Sequence, residues 1–412
     1  MIEKNRTNLI YFFCYLSLLV GFYFNEDTAG GQIQDYNTHL ALVEIFQKGI
    51  IKFLLDYDSR CCVAHSPFHI IYMLLLKELF FYETIARLIN LHLVLFIPLF
   101  FYKSLELISE FNNNDLKKIL PALLFLSPYF RSGAIWIDDN ILGLLFFTIS
   151  VYFFLKSKKN YYKSFLHIFL NVFFLALSAY FRPIFSIFSI FFFFEYLLKL
   201  KKKTFILYIF LNLIISLPAI YYVFILEINL WISSHITQTN ILTLGSLSVS
   251  VIIFYLAPLV SLNYKIIRKN IKVNYFIIII STLYFFLLYK YFNYPFNYSG
   301  GIIYRILYSI LKNNLVFIAF ISVVFYLILL YFYKSSSKRY SDILIFVLLI
   351  TTQVSGIIYH KFYDPLIWIV VFLMLKGDFF VNYKKKFNVK KTKILFIFSS
   401  IFYICSIIKN FI

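Results

Sequence analysis

Glu26 and Asp27 stand side by side in the stretch "YFNEDTAGGQIQDYNTHL", residues 23–40, with Asp35 close behind. A second polar stretch, "RSGAIWIDDNILGLLFF" at residues 131–147, places Arg131 ahead of Trp136, Asp138 and Asp139. His65, Ser66 and Pro67 precede an apolar segment, Arg182 interrupts the turn "YFRPIF", and His360 and Lys361 belong to "YHKFYDP", residues 359–365. A carboxylate can take a proton from an attacking hydroxyl, while Arg, Lys and His can hold a phosphate leaving group and offset its developing charge. Together these groups suit transfer from a phosphate-activated donor, such as a sugar carried on a lipid phosphate. In that chemistry Asp27 and Glu26 are the candidate catalytic bases. Asp35, His65, Arg131, Asp138, Asp139, Arg182 and Lys361 are the candidate substrate-binding residues.

Each of these residues also has a plainer reading. Glu26 and Asp27 could cap a helix or solvate a loop, since Asn, Asp and Thr near Gly are common turn residues. Asp35 could be the N-cap of a following helix, and Asp138 and Asp139 a helix N-terminus favoured by the dipole. Arg182-Pro183 could be a turn with a snorkelling Arg, His65 and His69 interfacial packing, and His360 and Lys361 contacts to lipid headgroups. No group has the spacing of dedicated metal ligands, so no cofactor is expected. Cys14 and Cys405 lie in apolar runs, and adjacent Cys61 and Cys62 would form only a strained vicinal bridge, so all four read as packing.

The elements that must position these groups are set by the solvent. The chain is 61% hydrophobic and 22% aromatic with only 14% charged residues, a balance suited to lipid rather than water. Apolar runs of spanning character lie at 8–24, 86–106, 118–130, 140–155, 163–181, 183–198, 204–225, 246–264, 273–291, 314–333, 341–359, 363–376 and 393–411. No small-residue cleavage site follows the first run, which therefore reads as a retained anchor rather than a signal peptide. The expected fold is an all-α polytopic membrane protein with about 11–13 spans in one domain over residues 1–412. The net charge of +20 does not point to nucleic acid, because Lys and Arg fall in short clusters between apolar runs rather than on one face.

Those basic clusters, at the start, around Lys156 to Lys163, at 199–203, 263–272, 333–339 and 384–393, read as cytoplasmic by the positive-inside rule. The longer or acidic connections, 25–85, 131–139, 226–245, 292–313 and 359–364, then face outward, with all the candidate site residues among them or beside them. The alternation closes only if residues 66–82 lie at the membrane surface as an interfacial or re-entrant helix. Residues 39–56 repeat Leu40, Leu42, Val43, Phe46, Ile50 and Phe53 at helical spacing. The first outer loop, 25–85, is thus expected to carry membrane-hugging helices ahead of the bundle at 86–412.

In this order of features the sequence resembles the GT-C superfamily of polytopic glycosyltransferases, in the branch of the protein O-mannosyltransferases and the lipid A aminoarabinose transferase. The family's acidic pair after its first span is matched by Glu26-Asp27. Its small-residue or His-Pro element opening a juxtamembrane helix is matched by "AHSPFHIIYMLL" at 64–75, its following Arg by Arg87, and its second acid after an Arg by residues 131–147. The resemblance covers residues 1 to about 200 and continues as hydropathy alone. It implies a polyprenyl-phosphate sugar donor, inversion at the anomeric carbon, Asp27 or Glu26 as the base, and Asp138 or Asp139 placing acceptor or donor. A divalent metal is compatible with the family but not indicated here. The pair reads Glu-Asp rather than Asp-Glu, which leaves open which acid takes the proton.

The expected partners are a polyprenyl-phosphate sugar, a lipid-linked or polysaccharide acceptor and the lipid bilayer, with no nucleic acid. The expected location is the bacterial inner membrane, with the site facing outward. A transporter or flippase of lipid-linked sugars would share the span count, but transporters place charged groups near the bilayer midplane on paired broken helices. A surface-polysaccharide polymerase or ligase would instead depend on Arg and His in late outer loops.

Overall fold

In the computed structural model the chain divides into two compact units. The first comprises residues 1–231, 364–369 and 387–412, and the second residues 232–363 and 370–386. The structure describes residues 2–47, 49, 66–80, 82–111, 113–225, 240–262, 274–296, 299–334, 339–352 and 358–411. Cys61, Cys62, His65, Ile50 and Phe53 lie outside these described residues.

Secondary structure is entirely helical among the described residues. In the first unit α1 is Ile2–Tyr23, α2 Gln32–Gln47, α3 Pro67–Leu79, α4 Glu83–Val94, α5 Phe96–Glu106, α6 Asn114–Ile119 and α7 Pro128–Trp136. These are followed by α8 Asp139–Lys159, α9 Phe165–Phe181, α10 Phe188–Leu197 and α11 Lys202–Ile220. The second unit contains α12 Ile241–Leu262, α13 Tyr275–Tyr291, α14 Ile302–Leu311, α15 Leu315–Lys334 and α16 Arg339–Thr351. Beyond these come α17 Leu366–Leu373, α18 Asp378–Lys385 in the second unit and α19 Val389–Phe411 in the first.

Among the described residues six helical stretches are long and apolar enough to cross a membrane: 83–106, 139–159, 202–224, 241–261, 315–333 and 389–409. A seventh is a broken pair, 360–373 and 378–385, bent by 84°. Several of the remaining runs form apolar helices of 10–17 residues, among them 7–23, 165–181 and 275–291. This is the make-up of a multi-pass membrane protein. The run at 118–130 departs from expectation, because it forms no spanning helix. Pro121 and Pro128 each lack a backbone N–H and disfavour helical backbone in the residue before them. Leu120–Leu126 accordingly winds as a buried 3₁₀ segment between α6 and α7.

The expected outer loop, where described, opens on turns at 25–31 and carries the helices α2 and α3 and the start of α4. In α2 the buried side chains are Gln32, Tyr36, His39, Leu42, Val43 and Phe46, one face at helical spacing. The helix begins before the apolar repeat expected from residue 39, so Asp35 sits in its first turn. In α3, Ser66 is the N-cap and Pro67 opens the first turn, where its missing N–H costs nothing.

A hairpin of α8 and α9 forms the densest packing of the first unit. Its inner polar contacts are closed on themselves: Asn171 Nδ2 donates to the Ser150 carbonyl at 2.9 Å and to Ser150 Oγ at 2.8 Å, and Tyr196 Oη donates to Asn171 Oδ1 at 3.1 Å. Lys156, Lys158 and Lys159 occupy the last turn of α8, where cations suit the helix dipole.

In the second unit, Asp342 near the start of α16 accepts the backbone N–H groups of Lys376 and Gly377, each at 2.8 Å, and the Tyr331 hydroxyl at 3.0 Å. His360 bridges two elements of that unit, its Nδ1 3.1 Å from Tyr255 Oη and its Nε2 accepting the Ile302 N–H at 3.0 Å.

Candidate functional site

The site is built from the turn that ends α1. Asn25 adopts a left-handed conformation, φ 54°, which Asn tolerates better than most residues. The chain therefore folds back so that the Glu26 N–H reaches the Gly21 carbonyl at 2.8 Å. A β-carbon at Gly21 would lie 2.1 Å from Glu26 Oε2 and 2.9 Å from Arg131 Nη2, so the absence of a side chain there is what admits the acid and its partner.

That partner comes from α7. Arg131 grips Glu26 with both sides of its guanidinium, Nε to Oε1 at 2.7 Å and Nη2 to Oε2 at 2.5 Å. The fork geometry is the strong, bidentate form of the ion pair. Arg131 is 3% exposed and Glu26 12%. Burial works against the Arg131 charge, but the hydrogen bonds and charge of Glu26 outweigh it and hold the guanidinium pKa above its ordinary value. Further contacts fix the pair: Arg131 donates to the Ser17 hydroxyl at 3.0 Å and carbonyl at 2.9 Å, and its guanidinium lies 4.9 Å from the Tyr403 ring. Thr28 and Tyr403 donate to Glu26 Oε1 at 3.0 and 3.3 Å.

Asp27 faces a different set of donors. Gly30 and Gly31 take left-handed φ values of 74° and 96°, and the turn they make directs four backbone N–H groups at the Asp27 carboxylate. Those of Gly30 and Gln32 reach Oδ1 at 3.1 and 3.3 Å, and those of Gly31 and Ile33 reach Oδ2 at 3.0 and 3.3 Å. Asp27 thus holds the start of α2, an anion where the helix dipole favours one.

The α7–α8 junction supplies the second wall. Ile137 is left-handed, φ 54°, a conformation that costs a β-branched residue roughly 1–2 kcal/mol. The bend separates Arg131 and Trp136 on α7 from Asp138 and Asp139 at the head of α8. Asp138 is the N-cap, its Oδ1 accepting the N–H groups of Asn140 at 2.8 Å and Ile141 at 3.2 Å. Asp139 pairs with Arg182 at 2.9 Å, with side-chain exposures of 3% and 14%. Trp136 Nε1 donates to the Glu26 carbonyl at 2.9 Å, and Arg87 lies 3.7 Å from the Trp136 ring while its Nη2 donates to Asn25 Oδ1 at 2.9 Å. The buried rings of His39 and His69 meet between α2 and α3, Nδ1 to Nε2 at 3.2 Å. Ser66 donates to the Tyr180 carbonyl, tying α3 to the end of α9.

Within the first unit Glu26 pairs with Arg131, Asp139 pairs with Arg182, Asp27 and Asp138 hold the starts of α2 and α8, and Asp35 lies in the first turn of α2. Lys361 belongs to the second unit, where its ammonium stands 5.7 Å from the rings of Tyr359 and Phe362. His65 is outside the described residues. Three partners escaped the sequence reading. Ser17 and Tyr403 sit in apolar runs with nothing to distinguish them, and Asp364, buried and accepting the Ser127 hydroxyl at 2.6 Å, was visible only as the acid of "YHKFYDP". Among the described residues no group of three His, Cys, Asp or Glu side chains is arranged to hold a metal ion.

Chemically, the cluster offers two carboxylates in a row with different partners, a guanidinium matched to each of Glu26 and Asp139, and aromatic walls from Trp136 and Tyr403. Comparison with protein-family models, curated proteins and solved structures finds no match to the chain.

Proposed function

We infer that this chain is a GT-C-type membrane glycosyltransferase that moves a sugar from a polyprenyl phosphate to a hydroxyl of a lipid-linked glycan or surface polysaccharide on the extracytoplasmic face. What supports this is that the first unit invests Glu26 and Arg131, and Asp139 and Arg182, in two largely buried ion pairs drawn from distant parts of the sequence, with Asp27 directly beside the first of them. Charged groups this deeply invested in a lipid-embedded protein are costly unless they are employed or fully paired.

In the proposed reaction the acceptor hydroxyl loses its proton to Asp27 while its oxygen attacks the anomeric carbon, and the polyprenyl phosphate leaves. The turn of backbone N–H groups fixes the Asp27 carboxylate in orientation. Glu26, held on both oxygens by Arg131, acts as the positioning acid that anchors the turn on α7. Arg182, steadied by Asp139, supplies positive charge to the departing phosphate.

The test is an assay of the purified full-length protein with a panel of polyprenyl-phosphate sugars. Release of polyprenyl phosphate from one of them supports the reading, and no consumption of any donor in the presence of lipid-linked and polysaccharide acceptors removes it.

A further inference from the structure

We propose that a groove between α1 and α5 binds one glycerophospholipid of the surrounding bilayer, its acyl chain along the helices and its phosphate at Lys118. The groove has a volume of about 560 Å³, and its walls include Asn8, Tyr11 and Tyr15 of α1, Pro98 and Leu99 of α5, and Lys118. On each helix these residues recur at helical spacing, so two facing stripes stand apart instead of interdigitating.

A gap of this size is far larger than close-packed interiors leave and lies within the range of ligand sites. Its tyrosines present rings, not hydroxyls. Tyr11 Oη donates to the Lys118 carbonyl at 2.6 Å, and Tyr15 Oη lies 2.8 Å from His92 Nε2. An apolar wall with its polar tips already engaged favours hydrocarbon over water. The helix faces beside the groove expose Leu9, Phe12, Phe13, Leu16 and Phe96, the side a lipid-embedded helix turns to acyl chains. A chain entering from the bilayer meets no polar barrier.

The polar end identifies the headgroup. Lys118 is part-exposed and pairs with the exposed Asp115 at 3.0 Å, an ion pair that a phosphate oxygen can join or replace at little cost. A bilayer phospholipid fits this end better than the polyprenyl donor. Asn8 precedes Ser17, the Arg131 contact, by roughly 14 Å of helix. The groove reaches the neighbourhood of Arg131 at Phe125, whose carbonyl accepts from Arg131 Nη1 at 3.4 Å, whereas the Lys118 ammonium is held by the exposed Asp115 and not by the residues of the candidate site. The inference rests on the membrane embedding of α1 and α5 and not on the reaction proposed above.

Native mass spectrometry of the full-length protein in mild detergent tests it, with Leu99→Trp to fill the groove, Lys118→Gln to remove the cation, and Leu16→Trp on the neighbouring exposed face as the control. The wild type and Leu16→Trp are expected to retain one glycerophospholipid, Leu99→Trp none, and Lys118→Gln about fivefold less. Equal retention by the wild type and Lys118→Gln overturns the proposal even if Leu99→Trp fails to fold. So does a retained species with the mass of a polyprenyl phosphate, or a wild type that carries no lipid.

Discussion

Arg131 closes on both carboxylate oxygens of Glu26 across 105 residues of sequence, at 2.7 and 2.5 Å, with both side chains largely out of solvent. The pair joins the end of α1 to α7 and fixes the backbone from which Asp27 projects. Removing one member of a buried pair leaves the other charge uncompensated, which costs about 3–5 kcal/mol. Glu26→Gln and Arg131→Met are each expected to lower the unfolding free energy by that amount, and the double variant by clearly less than their sum. Denaturation in detergent of the two single variants and the double variant checks this as a double-mutant cycle.

Gly21 gives an independent route to the same pair. A methyl group there would lie 2.1 Å from Glu26 Oε2, so Gly21→Ala must push the acid off Arg131. In an ordinary helix the same change is stabilising, because Ala has the higher helix propensity. Here the thermal midpoint should fall, and Gly21→Ala should cost clearly less in a Glu26→Ala background, where no long side chain reaches the methyl group. A rise in midpoint, or full additivity, contradicts the contact.

The α8–α9 hairpin should show the cost of an unmet polar group. Asn171→Leu takes the Oδ1 acceptor from the buried Tyr196 hydroxyl, at about 1–3 kcal/mol for the group stranded, while the Ser150 hydroxyl keeps its bond to the backbone carbonyl of residue 171. Tyr196→Phe in the Asn171→Leu background should recover part of the loss. Midpoints of chemical denaturation for the three variants decide it.

Arg182 separates structure from function. If its role ends with Asp139, Arg182→Lys, which keeps the charge and loses the planar fork, should affect stability and leave donor affinity unchanged. In the proposed reaction Arg182 also faces the leaving phosphate, so Arg182→Lys should raise the KM for the donor at least as much as it lowers kcat. Steady-state kinetics across donor concentration reads the difference.

The helical, many-span class was legible because the chain is apolar in long continuous runs: in lipid the backbone must be satisfied internally, and runs of that length do so as helices rather than as the alternating strands of a barrel. The two polar stretches were legible as one neighbourhood, since acids beside Arg in an otherwise apolar chain stand out. The pairing within it was not. Nothing in "YFNEDTAGG" says that Glu26 belongs to Arg131 while Asp27 gathers backbone N–H groups, because both facts follow from the left-handed Asn25 and Gly30-Gly31 turns. Asp138 was readable as a helix N-terminus and is one. Ser17 and Tyr403 were not readable, since an apolar run gives no sign of which hydroxyl turns inward. Hydropathy likewise overread residues 118–130, where two prolines make a buried 3₁₀ segment out of what looks like a span.

The most direct measurement of the central claim is donor consumption by Asp27→Asn. Asparagine keeps one oxygen for two of the four N–H groups and turns its NH2 toward the other two, at some cost in stability, but it is itself a good helix cap and tolerates turns, so insertion should survive. It cannot take a proton from an attacking hydroxyl. With the donor that the wild type consumes, the expected result is a variant that inserts and folds at a somewhat lower midpoint and whose turnover at a temperature below that midpoint falls by about 10²-fold or more, the scale of a lost general base. Turnover near the wild-type level in Asp27→Asn, with the fold intact, would reduce Asp27 to a helix cap and contradict the account.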